Sequence, residues 1–370
     1  MKLLMVQGGF GAGGAEKNIA MIAEHRLSLG DEVHIVGMAT PDNSSYFDYP
    51  EATNLHVIHP GDGFSKLVQF RRLLHIRQTV RQVQPDLIMS FLTKINVLTL
   101  LANTGLNVPV LVSERNNPQA QHAHPIWLKG FNTLARSATA IVMQTERARQ
   151  DLPDALANHT HVIPNPCAPF SDVTLGEGAA NMVAVGRLEW QKGFDLLLDA
   201  MPEIISRVPD AKLTIFGDGP KRDELERQVQ RMGLTDRVQL PGSSARPGAW
   251  MQDADVLVFP SRFEGFPNVV AEATVSGLPV VAFDCAYGPR EIIRDGENGI
   301  LVAPEDTPAL ANAVAGLLTD NESLAKMRQS AVENRYWLQP SRVLSDWDQV
   351  IDQIVPSHSM FQENSITSGN

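Results

Sequence analysis

Short apolar runs alternate with amphipathic stretches along most of the chain. In the first half, KLLMVQ (2–7), EVHIVGM (32–38), LHVIH (55–59), DLIMS (86–90), VPVLVS (108–113) and TAIVM (139–143) predict strands, with helical patterns over 14–29, 64–84 and 93–104. That rhythm is the strand–helix–strand signature of a parallel sheet covered on both faces. It breaks at the proline-rich stretch Ile163-Pro164-Asn165-Pro166-Cys167-Ala168-Pro169 and a small-residue patch near 176–181. It then begins again: MVAVG (182–186), KLTIFG (212–217), RVQLPG (237–242), DVLVFP (255–260), LPVVAF (278–283) and GILVA (299–303) predict a second set of strands. Helical patterns at 306–334 and 341–354 close the chain. The prolines suit a stiff linker better than a helix interior or a central strand. The pattern predicts an α/β protein of two Rossmann-like domains, 1–165 and 166–340, then a C-terminal helix over 341–355 and a flexible tail over 356–370.

Composition agrees with two cores and narrows the function. A chain of 370 residues exceeds what one core usually serves. No apolar run approaches the ~20 residues that span a bilayer, and the start MKLLMVQGGFGAGG is too short and glycine-broken for a signal peptide. Residence in the cytoplasm is the expectation. Cys167 and Cys285 lack the spacing of a disulfide framework or a zinc ribbon. The net charge of −11 disfavours nucleic acid as a partner, yet it is uneven. Residues 1–170 hold 14 Lys+Arg against 13 Asp+Glu, whereas 171–370 hold 17 against 29. The first half tolerates an anionic partner far better than the second.

Three constellations stand at strand ends. Gly9-Phe10-Gly11-Ala12-Gly13-Gly14 fits G-x-G-x-x-G, a loop whose amides can approach a phosphate. Dinucleotide binding also needs an acidic residue closing the second strand. Here that strand ends in Gly37-Met38-Ala39-Thr40, with no carboxylate before Asp42. A bare turn, or a glycine loop facing another phosphorylated group, remains.

The second constellation, Glu264-Gly265-Phe266-Pro267-Asn268-Val269-Val270-Ala271-Glu272, follows DVLVFP and opens an apolar-periodic helix. Pro267 suits the first helical turn, and unpaired amides over 265–269 would face an anion with help from the helix dipole. Glu264 before the turn and Glu272 on the helix can then grip hydroxyls on either side of a bound diphosphate. A capping carboxylate with an exposed helix glutamate is the plainer alternative. The third, Gly186-Arg187-Leu188 with Lys192-Gly193, places two cations at the C-terminal edge of the second sheet. Two cations there suit a pyrophosphate. Simple surface solvation is the alternative when they are taken alone.

Other signals fail. Asp253-Ala254-Asp255 mimics a metal-binding DxD, but it precedes a strand and reads as a solvated helix end. His122-Ala123-His124 lacks partners at metal-ligand spacing and reads as a solvated loop. There is no GxSxG and no HExxH.

GRLEWQKGFDLLLDA, LTIFGDGP, ADVLVFPSRFEGFPNVVAEATVSGLPVVA and GPREIIRDGENGILV together resemble glycosyltransferase family 4, almost continuously over 181–320. The spacing of Glu264 and Glu272 is similar to that family's paired-glutamate motif. GGAE (13–16) and SFLTKINVLTLLANTGLNVPVLVSERNNP (90–118) resemble the branch that makes bacterial surface glycans, including N-acetylgalactosamine transferases acting on lipid-linked oligosaccharides. The resemblance implies two Rossmann-like domains facing a central cleft (GT-B), a nucleotide-sugar donor and retention of anomeric configuration. It implies that Arg187 and Lys192 hold the donor diphosphate, Glu264 reaches the transferred sugar and Glu272 the ribose. It further implies a phosphate cradle from the amides of Phe266, Asn268 and Val269, approached by Gly14 of the other domain. Arg115 stands where many relatives carry a histidine.

The expectation is a retaining hexosyltransferase that moves a hexose or N-acetylhexosamine from a UDP-sugar to a lipid-pyrophosphate-linked or polysaccharide acceptor. It would need no cofactor, no metal and no protein nucleophile. The alternatives are a UDP-sugar epimerase of the same fold and a non-catalytic nucleotide-sugar-binding protein. Finally, 64–84 carries Lys66, Arg71, Arg72, Arg77 and Arg81 with no acidic residue, and Leu67, Phe70, Leu73, Leu74, Ile76, Val80 and Val83 at helical spacing. It reads as a helix packed on the first sheet, or as a peripheral contact with an anionic membrane at the inner face of the cell membrane.

Overall fold

The computed structural model describes residues 1–11, 14–40, 45, 47–59, 65–115 and 125–356. Gly13, Asp42, His122, His124 and the tail expectation beyond 356 lie outside them. The chain forms two units, Met1–Asn165 with the stretch from Val343 onward, and Pro166–Arg342.

The first unit holds β1 (Lys2–Gly9), β2 (Glu32–Met38), β3 (Asn54–Ile58), β4 (Leu87–Phe91), β5 (Val110–Ser113), β6 (Ala140–Met143) and β7 (Thr160–Val162), all parallel, in the order β3-β2-β1-β4-β5-β6-β7. Its connections include α1 (Gly14–Ser28), α2 (Ser65–Val83), α3 (Thr93–Asn103), α4 (Pro125–Leu134), α5 (Glu146–Gln150) and α6 (Asp154–Ala157). The second unit holds β8 (Asn181–Val185), β9 (Lys212–Phe216), β10 (Val238–Gly242), β11 (Val256–Phe259), β12 (Val280–Phe283) and β13 (Gly299–Val302), in the order β10-β9-β8-β11-β12-β13. Its helices are α7 (Phe194–Arg207), α8 (Arg222–Arg231), α9 (Asn268–Val275), α10 (Pro289–Ile292), α11 (Thr307–Thr319) and α12 (Asn321–Glu333).

Both faces of the second sheet are buried, which is why its strands read as continuous apolar runs. On β8, Met182 and Ala184 enter the core beneath α7 and α11, while Val183 enters the opposite core with Val270 of α9. The single pattern expected over 306–334 is two helices. Asp320 ends α11 and caps α12, accepting from the Ser323 amide at 3.0 Å.

The last helix, α13 (Pro340–Ile354), leaves the second unit and packs into the first. Trp347 is fully buried there, its ring 6.0 Å from that of Phe91. Arg26 reaches Asp348 at 2.7 Å and Asp31 at 2.6 Å, and the Met1 ammonium joins Asp31 at 2.6 Å.

Two expectations need correction. Asp255 is no solvated helix end: it is fully buried and accepts from the amides of Gly178 (2.7 Å) and Asn181 (2.9 Å) and from Arg328 (3.2 Å). Its carboxylate is spent on holding the start of β8. On α2, two of the basic residues counted toward a membrane contact are structural. Arg72 is buried and donates to the Gln7 carbonyl at 2.8 Å and to that of Gly8, and burial pushes its pKa down to about 10. Arg77 donates to the carbonyls of Ala102 (2.6 Å) and Thr104 (2.8 Å), closing the end of α3.

Candidate active site

The strand order of the second sheet reverses between β8 and β11. In open α/β sheets the crevice beyond the strand ends at such a reversal is where ligands bind. The turn after β8 carries Arg187 and Lys192, and the turn after β11 carries Glu264. Local chemistry shapes both. Trp190–Lys192 is one 3-10 turn closed by Gly193 at φ 64°. A Cβ on Gly193 would stand 2.0 Å from the Pro260 carbonyl oxygen, so only glycine lets the two turns approach this closely. Pro267 stands one residue ahead of the first helical turn. Its carbonyl accepts from the amides of Val270 (3.0 Å) and Ala271 (3.1 Å), which start α9.

The approach brings Lys192 Nζ to 2.6 Å from Glu264 Oε1, with 17% and 8% of the two side chains exposed. The ammonium also lies 5.6 Å from the centre of the Phe259 ring. Glu264 is pinned through its backbone as well: its amide donates to Ala286 (3.2 Å), and its carbonyl accepts from Tyr287 (3.1 Å). Burial and the Glu264 charge push the neighbouring Cys285 thiol up to about 12, so it stays a thiol. Between the two turns, Arg262 N–H donates to the Gln191 carbonyl at 2.8 Å, and Gln191 Nε2 donates to the Phe263 carbonyl at 2.9 Å.

Glu272 lies half-buried on α9, with Asn268 and Val269 in its first turn and Phe266 buried just before it. The Val269 amide lies ahead of the first ladder bond of α9, where a helix offers donors to an anion. Arg187 is not gathered in: its side chain is 71% exposed and pairs with Glu189 at 3.1 Å. Gly14 is the exposed first residue of α1, in the first unit. There Glu16 is buried, and its pKa is raised, chiefly by burial.

Arg115 is enclosed rather than open. Its Nη1 donates to Asn165 at 2.9 Å, and its Cζ lies 5.6 Å and 5.2 Å from the rings of Phe91 and Trp347. Burial lowers its pKa to about 9. It grips Asn165, where the chain leaves the first unit, and Trp347, on the helix that returns. No group of three or more His, Cys, Asp or Glu with metal-binding geometry occurs among the described residues.

Comparison with known proteins matches each unit. The family model for glycosyl transferases group 1 matches residues 179–320, and that for a glycosyl transferase 4-like domain matches 13–166. An exopolysaccharide phosphotransferase of Streptomyces coelicolor is 28% identical over 76% of this chain, which spans 30% of that protein. An α-1,4-N-acetyl-D-galactosaminyltransferase of Campylobacter jejuni, named for a diNAcBac-PP-undecaprenol-linked oligosaccharide, is 24% identical over 96% of this chain and 99% of its own. The crystal structure of Anabaena HepE in complex with UDP superposes with a TM-score of 0.80 at 21% identity, over 95% of this chain and 100% of that one. The second sheet, the first sheet apart from β1, and the turns that carry Lys192 and Glu264 fall inside the matched regions; the chain belongs to the group 1 (family 4) glycosyltransferases, with the GT-B fold.

Proposed function

We propose that this protein transfers a hexose or N-acetylhexosamine from a UDP-sugar to a lipid-pyrophosphate-linked or other glycan acceptor, with retention of anomeric configuration. The observation that carries the proposal is the Lys192–Glu264 contact of 2.6 Å at the β8/β11 reversal. A cation and a carboxylate held together there offer one group to a leaving diphosphate and one to the sugar it leaves. Lys192, joined by Arg187 and the amides of Phe266, Asn268 and Val269, holds the diphosphate. Glu264 binds the transferred sugar and Glu272 the ribose. The Campylobacter relative's name specifies a lipid-pyrophosphate acceptor, and HepE was crystallised with UDP. Both support the same substrate classes here.

In the transfer, the bond from the anomeric carbon to the β-phosphate oxygen breaks, and its electron pair stays on UDP. The acceptor hydroxyl bonds to the same face of the carbon, and its proton passes to a donor phosphate oxygen. Charge grows on the diphosphate as this happens, so pre-set donors there lower the barrier without any nucleophile from the protein. The cations supply the charge that a metal would otherwise bring, and activity should persist in chelator.

Titration of UDP and of UDP-, GDP- and CMP-sugars into the protein tests the donor class. Saturable binding of the UDP set, abolished by Lys192→Ala, is expected. Absence of UDP binding, or binding indifferent to Lys192, would remove the donor site. Turnover of a UDP-sugar to another UDP-sugar without acceptor would make the protein an epimerase. Binding with no turnover under any acceptor would make it a binding protein.

The acceptor side includes a peripheral membrane contact through α2. No helix among the described residues is long and apolar enough to cross a membrane. Leu67 (44%), Phe70 (58%) and Leu74 (47%) are nevertheless exposed along one stripe of α2. Arg71 and Arg81 lie exposed on the same helix, and each basic side chain near an anionic surface contributes ~1 kcal/mol. Co-sedimentation with phosphatidylglycerol vesicles should fall when salt rises and when Phe70→Ser and Arg71→Glu are combined. Sedimentation unmoved by either would detach α2 from the acceptor. Arg72 and Arg77 are unsuited to this test, because their loss would disturb β1 and α3.

A further inference from the structure

Lys192 and Glu264 come from separate turns, 72 residues apart. Neither turn is long or regular. One is a three-residue 3-10 turn, and 261–267 contains no helix or strand. Beside the links through Gln191, one side chain braces both turns.

Arg262 is placed to do so. Its side chain is only 7% exposed. Nη1 donates to the Trp190 carbonyl at 2.7 Å, and the guanidinium forks the Asp195 carboxylate at 2.9 and 2.6 Å. Nε reaches Glu305 at 3.2 Å, and the Trp190 ring centre lies 4.7 Å from Cζ. Asp195 sits in the first turn of α7, whose Leu197, Leu198 and Met201 are fully buried, so the fork is anchored to a packed element. Burial is the largest influence and pushes the Asp195 carboxyl up, but the hydrogen bonds and charge of Arg262 together with the amides of Asp195 and Leu196 outweigh it and hold the carboxyl below the usual range. The hydrogen bonds to Asp195 raise the Arg262 pKa. Both shifts favour the ion pair.

The geometry divides the labour. Trp190 lies two residues before Lys192, and Arg262 two residues before Glu264. One guanidinium thus grips the backbone of the first turn while its own backbone leads into the second. Its side-chain hydrogen bonds go to Trp190, Asp195 and Glu305, not to Lys192 or Glu264. A lysine could keep the charge but could not fork Asp195 and reach Trp190 together.

We propose that Arg262, anchored by Asp195, is a positioning residue for sugar transfer: it holds Lys192 and Glu264 in register without touching either. The proposal rests on the donor-site assignment made above. Loosening the register misplaces the charge-stabilising group at the reacting bond, while contacts that bind the donor throughout are kept. The effect belongs in kcat more than in donor KM.

The test is steady-state transfer by the full chain carrying Arg262→Gln, Arg262→Lys, Asp195→Asn, or Arg262→Gln with Asp195→Asn, beside Lys192→Ala. Each single change at Arg262 or Asp195 should lower kcat about 10²-fold, with donor KM held within about threefold. Lysine should fail to rescue. The double variant should be no slower than the singles, because the two residues act as one unit. If Arg262→Gln does not fold, Asp195→Asn decides, since it leaves the Trp190 contacts in place. Wild-type kcat in Arg262→Gln or Asp195→Asn, a loss confined to KM, or additive losses in the double variant would overturn the positioning role. Transfer retained by Lys192→Ala would instead overturn the donor site, which separates the two failures.

Discussion

Lys192→Ala should lower kcat/KM for transfer by 10²-fold or more, the scale of losing one pre-set electrostatic stabiliser. Two losses combine in this variant. The leaving diphosphate forfeits the ammonium, and Glu264, with 8% of its side chain exposed, is left as a carboxylate without its cation. Removing one partner of an enclosed ion pair is costly because the survivor stays charged and poorly solvated. A drop in thermal midpoint should therefore accompany the loss of activity. Adding Glu264→Gln to Lys192→Ala should restore much of the midpoint and none of the activity. That combination separates the structural from the chemical share of the pair. Arg187→Ala should also slow transfer but leave the midpoint unchanged, because its side chain is 71% exposed. Near-wild-type kinetics in Lys192→Ala, measured with saturating acceptor, would dissolve the diphosphate assignment.

Glu264→Ala should act mainly on kcat, and Glu272→Ala mainly on donor KM. Glu264 is held against the ammonium at the strand reversal; in the proposed role it meets the transferred sugar, and such a contact would tighten as the anomeric bond breaks. A kcat loss of about 10²-fold is the expected size. Glu272 lies along α9, and a contact with ribose there is the same before and during reaction, so its loss costs binding uniformly. The Glu264 backbone is fixed by Ala286 and Tyr287 independently of its carboxylate, so truncation should leave the turn intact. Substrate titrations of both variants would show the split. Equal effects on kcat and KM in the two would deny them separate roles.

Much of this fold was legible because burial on both faces writes itself into the strands. Among the described strands, only β7 escaped. Thr160-His161-Val162 is short, lies at the sheet edge and offers no apolar run to read. The amphipathic pattern of α13 identified a helix, but the same stripe could serve either core. That it returns to cover Phe91 is a tertiary fact. The break inside 306–334 rests on one capping aspartate, Asp320.

At the site, each turn announced itself through glycine, proline and charge, whereas the contact between the turns did not. Arg262 lies inside the motif but carries no local sign of its partner, because Asp195 is 67 residues away. Basic residues at helical spacing look alike whether their heads meet water or carbonyl oxygens. Arg72 and Arg77 therefore counted toward a membrane contact although their heads meet carbonyl oxygens, while Arg71 is exposed. Asp255 misled in the same way, since its partners are backbone amides before β8 and at its start and the distant Arg328.

Proton NMR of the purified protein with an α-configured UDP-sugar and a lipid-pyrophosphate-linked saccharide addresses the central claim in one spectrum. Loss of the donor's anomeric signal with appearance of UDP and a new α-linked anomeric signal, unaffected by chelator, is the predicted result. A β-linked product would contradict retention, and a donor that stays intact or only changes into another UDP-sugar would contradict transfer itself.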